Sequence, residues 1–277
     1  MLVEGAFLQA IIADPDDDAP RLIYADWLDE QGECERAEFI RVQCALARMK
    51  KTDPDWKQLW DRERDLIVFH SHLWSVPLRR FVTAFWCRRG FVEDVTVDAR
   101  TFITSAAELF AIAPILSANV WNGADVIEEF ANCPYLAGLR RLTLTSEHVE
   151  LIGDLGGEID LATVDPVVMS GALEDDGLIV LLRSPYLAHL VSLDLAYHNI
   201  GVEGVRALTE ASHLDQLSVL DLSHNPLGID SAILLAGWPG LARLTRLNLT
   251  GCRLRVWGRR IASSPHAPAG DQNWLQL

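Results

Sequence analysis

Cysteine is scarce, with five residues in 277: Cys34, Cys44, Cys87, Cys133 and Cys252. The number is odd, the spacings are wide and no C-x-x-C pair occurs, which argues against a disulfide framework and a zinc ribbon. Free thiols, mostly buried, in a reducing cytoplasmic setting are expected. No apolar run approaches the roughly 18 residues of a spanning helix, so no membrane segment is expected. The stretch Met1–Leu8 carries no basic region, so a secretory signal is not expected. Basic side chains are in deficit: 24 Lys and Arg face 39 Asp and Glu, a net charge of −15. This balance disfavours a nucleic-acid partner and favours a basic partner on encounter.

Motifs of catalysis are missing as well. There is no G-x-S-x-G, no Walker A sequence and no G-x-G-x-x-G. The acidic cluster Asp14–Asp18 lacks the Gly bend and the terminal Glu of a calcium loop. It reads as a turn, with Asp18 as the N-cap of the helix that follows. His70 and His72 are two apart, a spacing that suits neither one helix face nor a zinc pattern. No catalytic residue, cofactor or metal is expected. What the chain does have is apolar content, 49% of residues, enough for a sizeable core.

A repeat dominates the second half. Leu190-Val-Ser-Leu193-Asp-Leu195-Ala-Tyr-His198-Asn-Ile200 recurs 27 residues on as Leu217-Ser-Val-Leu220-Asp-Leu222-Ser-His-Asn225-Pro-Leu227. After the same step it returns as Leu244-Thr-Arg-Leu247-Asn-Leu249-Thr-Gly-Cys252-Arg-Leu254. All three fit L-x-x-L-x-L-x-x-N/C-x-L, with His198 where Asn or Cys is usual, the pattern of a leucine-rich repeat. The intervening segments carry apolar residues at helical spacing, Val205, Leu208 and Ala211 in one and Ile233, Leu234 and Gly237 in the next. Each unit therefore predicts strand, turn and helix. Leu139–Val149 is a weaker upstream copy, and residues 115–121 predict an earlier strand. Thr163–Leu173 would be a degenerate copy, with Pro166 at a framework leucine and an acidic turn near Gly153–Asp160. Trp274–Leu277 looks like a further strand one residue out of phase, making the tail either a cap or a decayed repeat. The repeats resemble the ribonuclease-inhibitor type.

The leucines are expected to point inward and stack from unit to unit, because one repeat cannot bury its face alone. Asn225 and Cys252 should turn inward to bond loop backbone. Parallel strands would line the concave side of a solenoid, with helices on the convex side. Strand alternation then sends the intervening residues to solvent. These are Arg141, Thr143 and Thr145, then Ser192, Asp194 and Ala196, then Val219, Asp221 and Ser223, then Arg246, Asn248 and Thr250, with Tyr197 and His224 beside them.

Residues 1–50 show no such repeat and predict small helices. Phe7, Leu8, Ile11 and Ile12 mark the first, Leu22 to Leu28 the second, Cys34 to Met49 the third, and a fourth follows Pro54. The sequence Asp14-Pro-Asp-Asp-Asp18-Ala-Pro-Arg21-Leu-Ile-Tyr24-Ala-Asp26-Trp27-Leu28, followed by Arg36-Ala-Glu38-Phe39-Ile40-Arg41-Val-Gln43, resembles the bacterial repeat-companion domain. The stretch Trp86-Cys-Arg88-Arg89-Gly90-Phe91-Val92-Glu93 resembles the segment that usually follows it. The resemblance implies leucine-rich repeats downstream and no known activity. Asp26, Glu38 and Arg41, with Arg21 joining, read as a packing salt-bridge network.

The expected architecture is α/β: a helical domain over 1–50, a helical and strand connector over 51–110, and repeats over 111–277. The expected function is a protein-interaction module or scaffold that binds through the concave residues named above. The alternative is an enzyme or enzyme-regulating domain in the N-terminal helices, around Asp26, Asp29 or Glu38, with the repeats selecting substrate.

Overall fold

The computed structural model describes residues 2–145, 171–268 and 272–277. The chain divides into two compact units. Among the described residues, the first holds 2–96 and 105–115, and the second holds the rest.

The first unit begins with four helices: α1 (Leu2–Ala13), α2 (Ala19–Glu30), α3 (Cys34–Arg48) and α4 (Trp56–Trp74). Pro20 stands in the first turn of α2, where its missing N–H is not needed. Asp18 stands at the N-cap but makes no side-chain cap bond. Instead its Oδ2 accepts from Arg48 Nε at 2.9 Å, while Asp17 Oδ1 takes the Ala19 N–H at 2.9 Å. The capping role expected for Asp18 is thus an ion-pair role. Helix α2 stops before Gly32, whose φ of 85° reverses the chain without side-chain strain. Ile11, Tyr24, Ala25, Leu28, Ala37, Ile40, Cys44 and Phe91 form one buried cluster, and Phe39, Val42 and Leu66 another.

Strands β1 (Ala84–Arg88) and β2 (Phe91–Asp98) form an antiparallel hairpin with Arg88 opposite Phe91. Its two-residue turn is Arg89-Gly90, with φ values of 49° and 88°, the doubly left-handed form that suits a tight hairpin. The register shifts at Trp86 and Cys87. Helix α5 (Ala99–Ile112) follows β2, and Asp98 Oδ1 caps its start by accepting from the N–H groups of Arg100 and Thr101.

In the second unit, parallel pairing runs in chain order through β3 (Ser117–Trp121), β4 (Arg141–Thr145), β5 (Ser192–Asp194), β6 (Val219–Asp221), β7 (Arg246–Asn248) and β8 (Leu275–Gln276). Helices α6 (Ile127–Ala131), α7 (Glu174–Leu182), α8 (Val202–Glu210), α9 (Gly228–Gly237) and α10 (Gly258–Ala262) stand between strands, each packed on the next. Leu142, Leu193, Leu220 and Leu247 share one register row and are all buried. Full burial of each contributes roughly 1.5–3 kcal/mol.

One sequence expectation, the buried side of α9, needs correction here. Arg141 pairs directly with Ser192; the degenerate copy expected over Thr163–Leu173, with Pro166 and the turn near Gly153–Asp160, falls largely outside the described residues, which omit 146–170. On α9 the buried side is Ser231, Ala232, Leu235 and Ala236, while Ile233 is exposed. Strand β8 pairs Leu275 with Leu247, a step of 28 rather than 27, so the tail supplies a strand one residue out of phase, as expected.

Candidate functional site

The turn after each strand is held by one inward side chain. Asn225 Nδ2 donates to Leu195 O at 2.8 Å, and its Oδ1 accepts from the N–H groups of His198 and Ile200 at 3.0 and 2.9 Å. Cys252 Sγ donates to Leu222 O at 2.9 Å. His198 occupies the same position one repeat earlier. Leu173 N–H donates to its Nδ1 at 3.2 Å, which assigns the proton to Nε2, and Nε2 donates to Leu144 O at 2.9 Å. The imidazole thus supplies one acceptor and one donor, as an amide would. Burial lowers its pKa, partly opposed by the bond to Leu144. These three residues bond the turns of successive repeats together.

On that face the register sets side chains in rows. The central row is polar throughout: Asn119, Thr143, Asp194, Asp221, Asn248 and Gln276. Neighbouring strands are about 4.8 Å apart, so Asp194 and Asp221 stand side by side. Each of three residues turns one oxygen onto the backbone two positions on. Asp194 Oδ1 accepts from Ala196 N–H at 3.0 Å, Asp221 Oδ1 from Ser223 N–H at 2.8 Å, and Asn248 Oδ1 from Thr250 N–H at 3.1 Å. Asn248 Nδ2 also donates to Asp221 Oδ2 at 2.7 Å. Burial, and then the charge of Asp221, push the Asp194 carboxyl up from 3.8 to about 6; the Ala196 N–H and Arg246 pull the other way.

The flanking row holds Arg141, Ser192, Val219 and Arg246. Arg246 Nη2 donates to Gln276 Oε1 at 3.3 Å. Thr145 Oγ1 donates to Asn119 Oδ1 at 3.3 Å. Beyond the strands, Tyr197 and His224 stack with centroids 4.2 Å apart and planes 4° from parallel. Both are left-handed, at φ 64° and 57°, and Gly251 follows at the same repeat position with φ 76°. A Cβ at Gly251 would lie 2.5 Å from His224 Nδ1, so the glycine leaves room for the imidazole.

Of the predicted face residues, Arg246, Thr250 and His224 are exposed. Arg141, Thr143, Thr145, Ser192, Asp194, Ala196, Tyr197, Val219, Asp221 and Asn248 are half-buried. Ser223 is buried, against expectation. Its carbonyl accepts from Tyr197 N–H and Asn225 Nδ2, which draws this part of the turn into the ladder.

The N-terminal residues do not form the single network expected of them. Arg41 pairs with Asp26 and Asp29, each at 2.7 Å, while Glu38 pairs with Arg62 at 2.6 Å. All five are partly exposed, and the bond from Arg62 lowers the Glu38 pKa. Arg21 joins neither group. Fully buried, it donates to Glu93 Oε1 at 2.8 Å, to Pro15 O and to Arg89 O. Gln43 Oε1 accepts from Gly90 N–H at 2.7 Å, and its Nε2 donates to Cys87 O. The two stretches that carry the repeat-companion resemblance, residues 14–43 and 86–93, therefore lock together through Arg21, Gln43, Glu93 and the hairpin turn.

Residues 186–208, which contain β5 and most of α8, match the family model for the leucine-rich repeat. No curated protein matches the chain. No helix among the described residues is long and apolar enough to cross a membrane. The chain thus contains leucine-rich repeats, and a protein-interaction module is the class of function they suggest.

Proposed function

We propose that this protein is an interaction module or scaffold whose strand face, the concave side of a ribonuclease-inhibitor-type solenoid, grips a basic segment of a protein partner. The reading assigns it no catalysis and sets residues 1–50 as a repeat-companion domain that precedes the repeats in sequence. The observation that carries it is the Asp194–Asp221 pair at the centre of a polar row. Two neighbouring carboxylates repel, and the raised Asp194 pKa expresses burial first and that repulsion second. An Arg or Lys placed over them relieves both effects, so the pair rewards a cationic ligand. The Tyr197–His224 stack adds a flat surface beside the charge, of the kind that anchors interfaces.

A displayed peptide library panned on the full chain tests this. Enriched peptides should carry Arg or Lys and should bind more weakly at high salt. The Asp194→Arg/Asp221→Arg protein should lose them while keeping its circular dichroism, and Asp194→Asn/Asp221→Asn should weaken them. Peptides without basic residues, or binding that survives both variants, would sink the reading. The enzyme alternative would place chemistry at Asp26, Asp29 or Glu38, and the ion pairs these make with Arg41 and Arg62 give it no support.

A further inference from the structure

Helix α4 turns one side to the core of the first unit and the other to solvent. Leu66 is buried, and Leu59, Ile67 and Trp74 pack around the cluster it belongs to. On the other side Phe69 is 67% exposed, Leu73 58% and Val68 52%, and Val76 in the turn that follows is 61% exposed. Apolar residues exposed singly are ordinary, but four within nine residues make a contiguous patch, the mark of a contact surface.

The patch is built on a regular seam. Asp65, Phe69, His72, Val76 and Arg79 are all exposed and follow one another at steps of four and three residues, the spacing by which one helix packs along another. Backbone bonds from Ser75 N–H to Ser71 O and from Arg79 N–H to Ser75 O carry the helical progression past Trp74. The two ends of the seam bear opposite charge. Nearby Asp61, Arg62, Arg64 and Arg80 are ion-paired within the chain. Asp65 and Arg79 are in no ion pair among the described residues. They stand at equal distances in sequence before and after His72, as do Val68 and Val76. Such a surface is complementary to itself when turned end for end. We propose that α4 and the turn after it pack antiparallel on the same segment of a second copy of this chain, about a two-fold axis at His72. The axis sets Val68 of one copy against Val76 of the other and Asp65 against Arg79, with Phe69 between Leu73 and Val76. Each contact then occurs twice, as two-fold symmetry requires. This surface lies wholly in the first unit, and the inference does not rest on the strand-face reading.

Sedimentation equilibrium of the full chain from roughly 1 to 300 μM tests the proposal, because an interface of this small size dissociates in the micromolar range. The mass should rise from that of the monomer toward twice that value. Phe69→Glu and Leu73→Glu, both at exposed sites, should each weaken the dimer roughly tenfold or more while the circular dichroism stays unchanged. Asp65→Arg and Arg79→Asp should each weaken it about fivefold, since every charge pair is made twice. Asp65→Arg/Arg79→Asp should return it to within about threefold of the parent, a rescue that requires both partners to be copies of this chain. A chain that is monomeric throughout, a dimer indifferent to Phe69→Glu and Leu73→Glu, or a double reversal no tighter than the single ones would each overturn the proposal.

Discussion

His198 and Asn225 stand 27 residues apart and fill one role with different chemistry. Each donates a side-chain hydrogen bond to a carbonyl of the preceding repeat, His198 to Leu144 at 2.9 Å and Asn225 to Leu195 at 2.8 Å. Asn225 Oδ1 in turn accepts the His198 main-chain N–H, so the two residues are successive rungs of one ladder.

Replacement of His198 should therefore depend on hydrogen-bonding capacity rather than size. His198→Leu leaves Leu144 O and Leu173 N–H buried and unmet, and should cost about 2–4 kcal/mol in urea unfolding. His198→Asn can serve both groups and should stay within about 1 kcal/mol of the parent. The pH dependence follows from the lowered pKa. The unfolded chain takes up a proton near the ordinary value of 6.5, before the folded one does. Stability should fall as pH drops through that value, and the His198→Asn protein should lack this component. An identical pH slope in both proteins would contradict the ladder assignment.

Asp194 should show the opposite slope. Its folded pKa of about 6 lies above the ordinary 3.8, so between these values the folded chain holds the extra proton. Stability from this group is therefore present at low pH and lost as pH rises through about 6. Asp194→Asn keeps the acceptor for Ala196 N–H, just as Asn248 serves Thr250. It should be near neutral at pH 4 and, after allowance for solvent screening, stabilise by about 1 kcal/mol at pH 7. Thermal melts at the two pH values read this directly. A loss of stability at pH 7 would mean that the carboxylate charge is favourable in place.

Arg21 and Glu93 form the other test, in the first unit. Glu93→Leu strands a buried guanidinium and should cost about 3–5 kcal/mol. Arg21→Met/Glu93→Leu removes both charges and should recover much of that loss. Burial raises the Glu93 pKa and Arg21 is the main charge that opposes it, which marks the pair as desolvated and interdependent. A double variant no more stable than Glu93→Leu would show that the remaining bonds of Arg21, to Pro15 O and Arg89 O, carry the energy instead.

The repeat was readable because its information is periodic. Leu193, Leu220 and Leu247 fall at one interval, and the strands they predict pair in that register. The polar row followed from strand alternation, since Asp194, Asp221 and Asn248 each precede a framework leucine. Burial of Ser223 did not follow, because it depends on which turn carbonyls join the ladder rather than on alternation. Arg36 lies near acidic residues in sequence, yet among the described residues its guanidinium packs over Phe39, Trp74 and Phe91 and pairs with no carboxylate, which only three-dimensional packing shows. Arg21 falls outside the network that its sequence neighbours suggest, because its partner Glu93 lies 72 residues away.

The step from Arg141 to Ser192 spans 51 residues, whereas Ser192 to Val219 and Val219 to Arg246 span 27 each. All three joins have the same parallel register, and a ladder bond crosses each boundary, from His198, Asn225 and Cys252. Alignment is thus enforced locally at every boundary and does not depend on how much chain separates the strands. Such an architecture can gain or shed sequence between β4 and β5 while the face they build stays in order, which separates growth of the chain from preservation of its polar row.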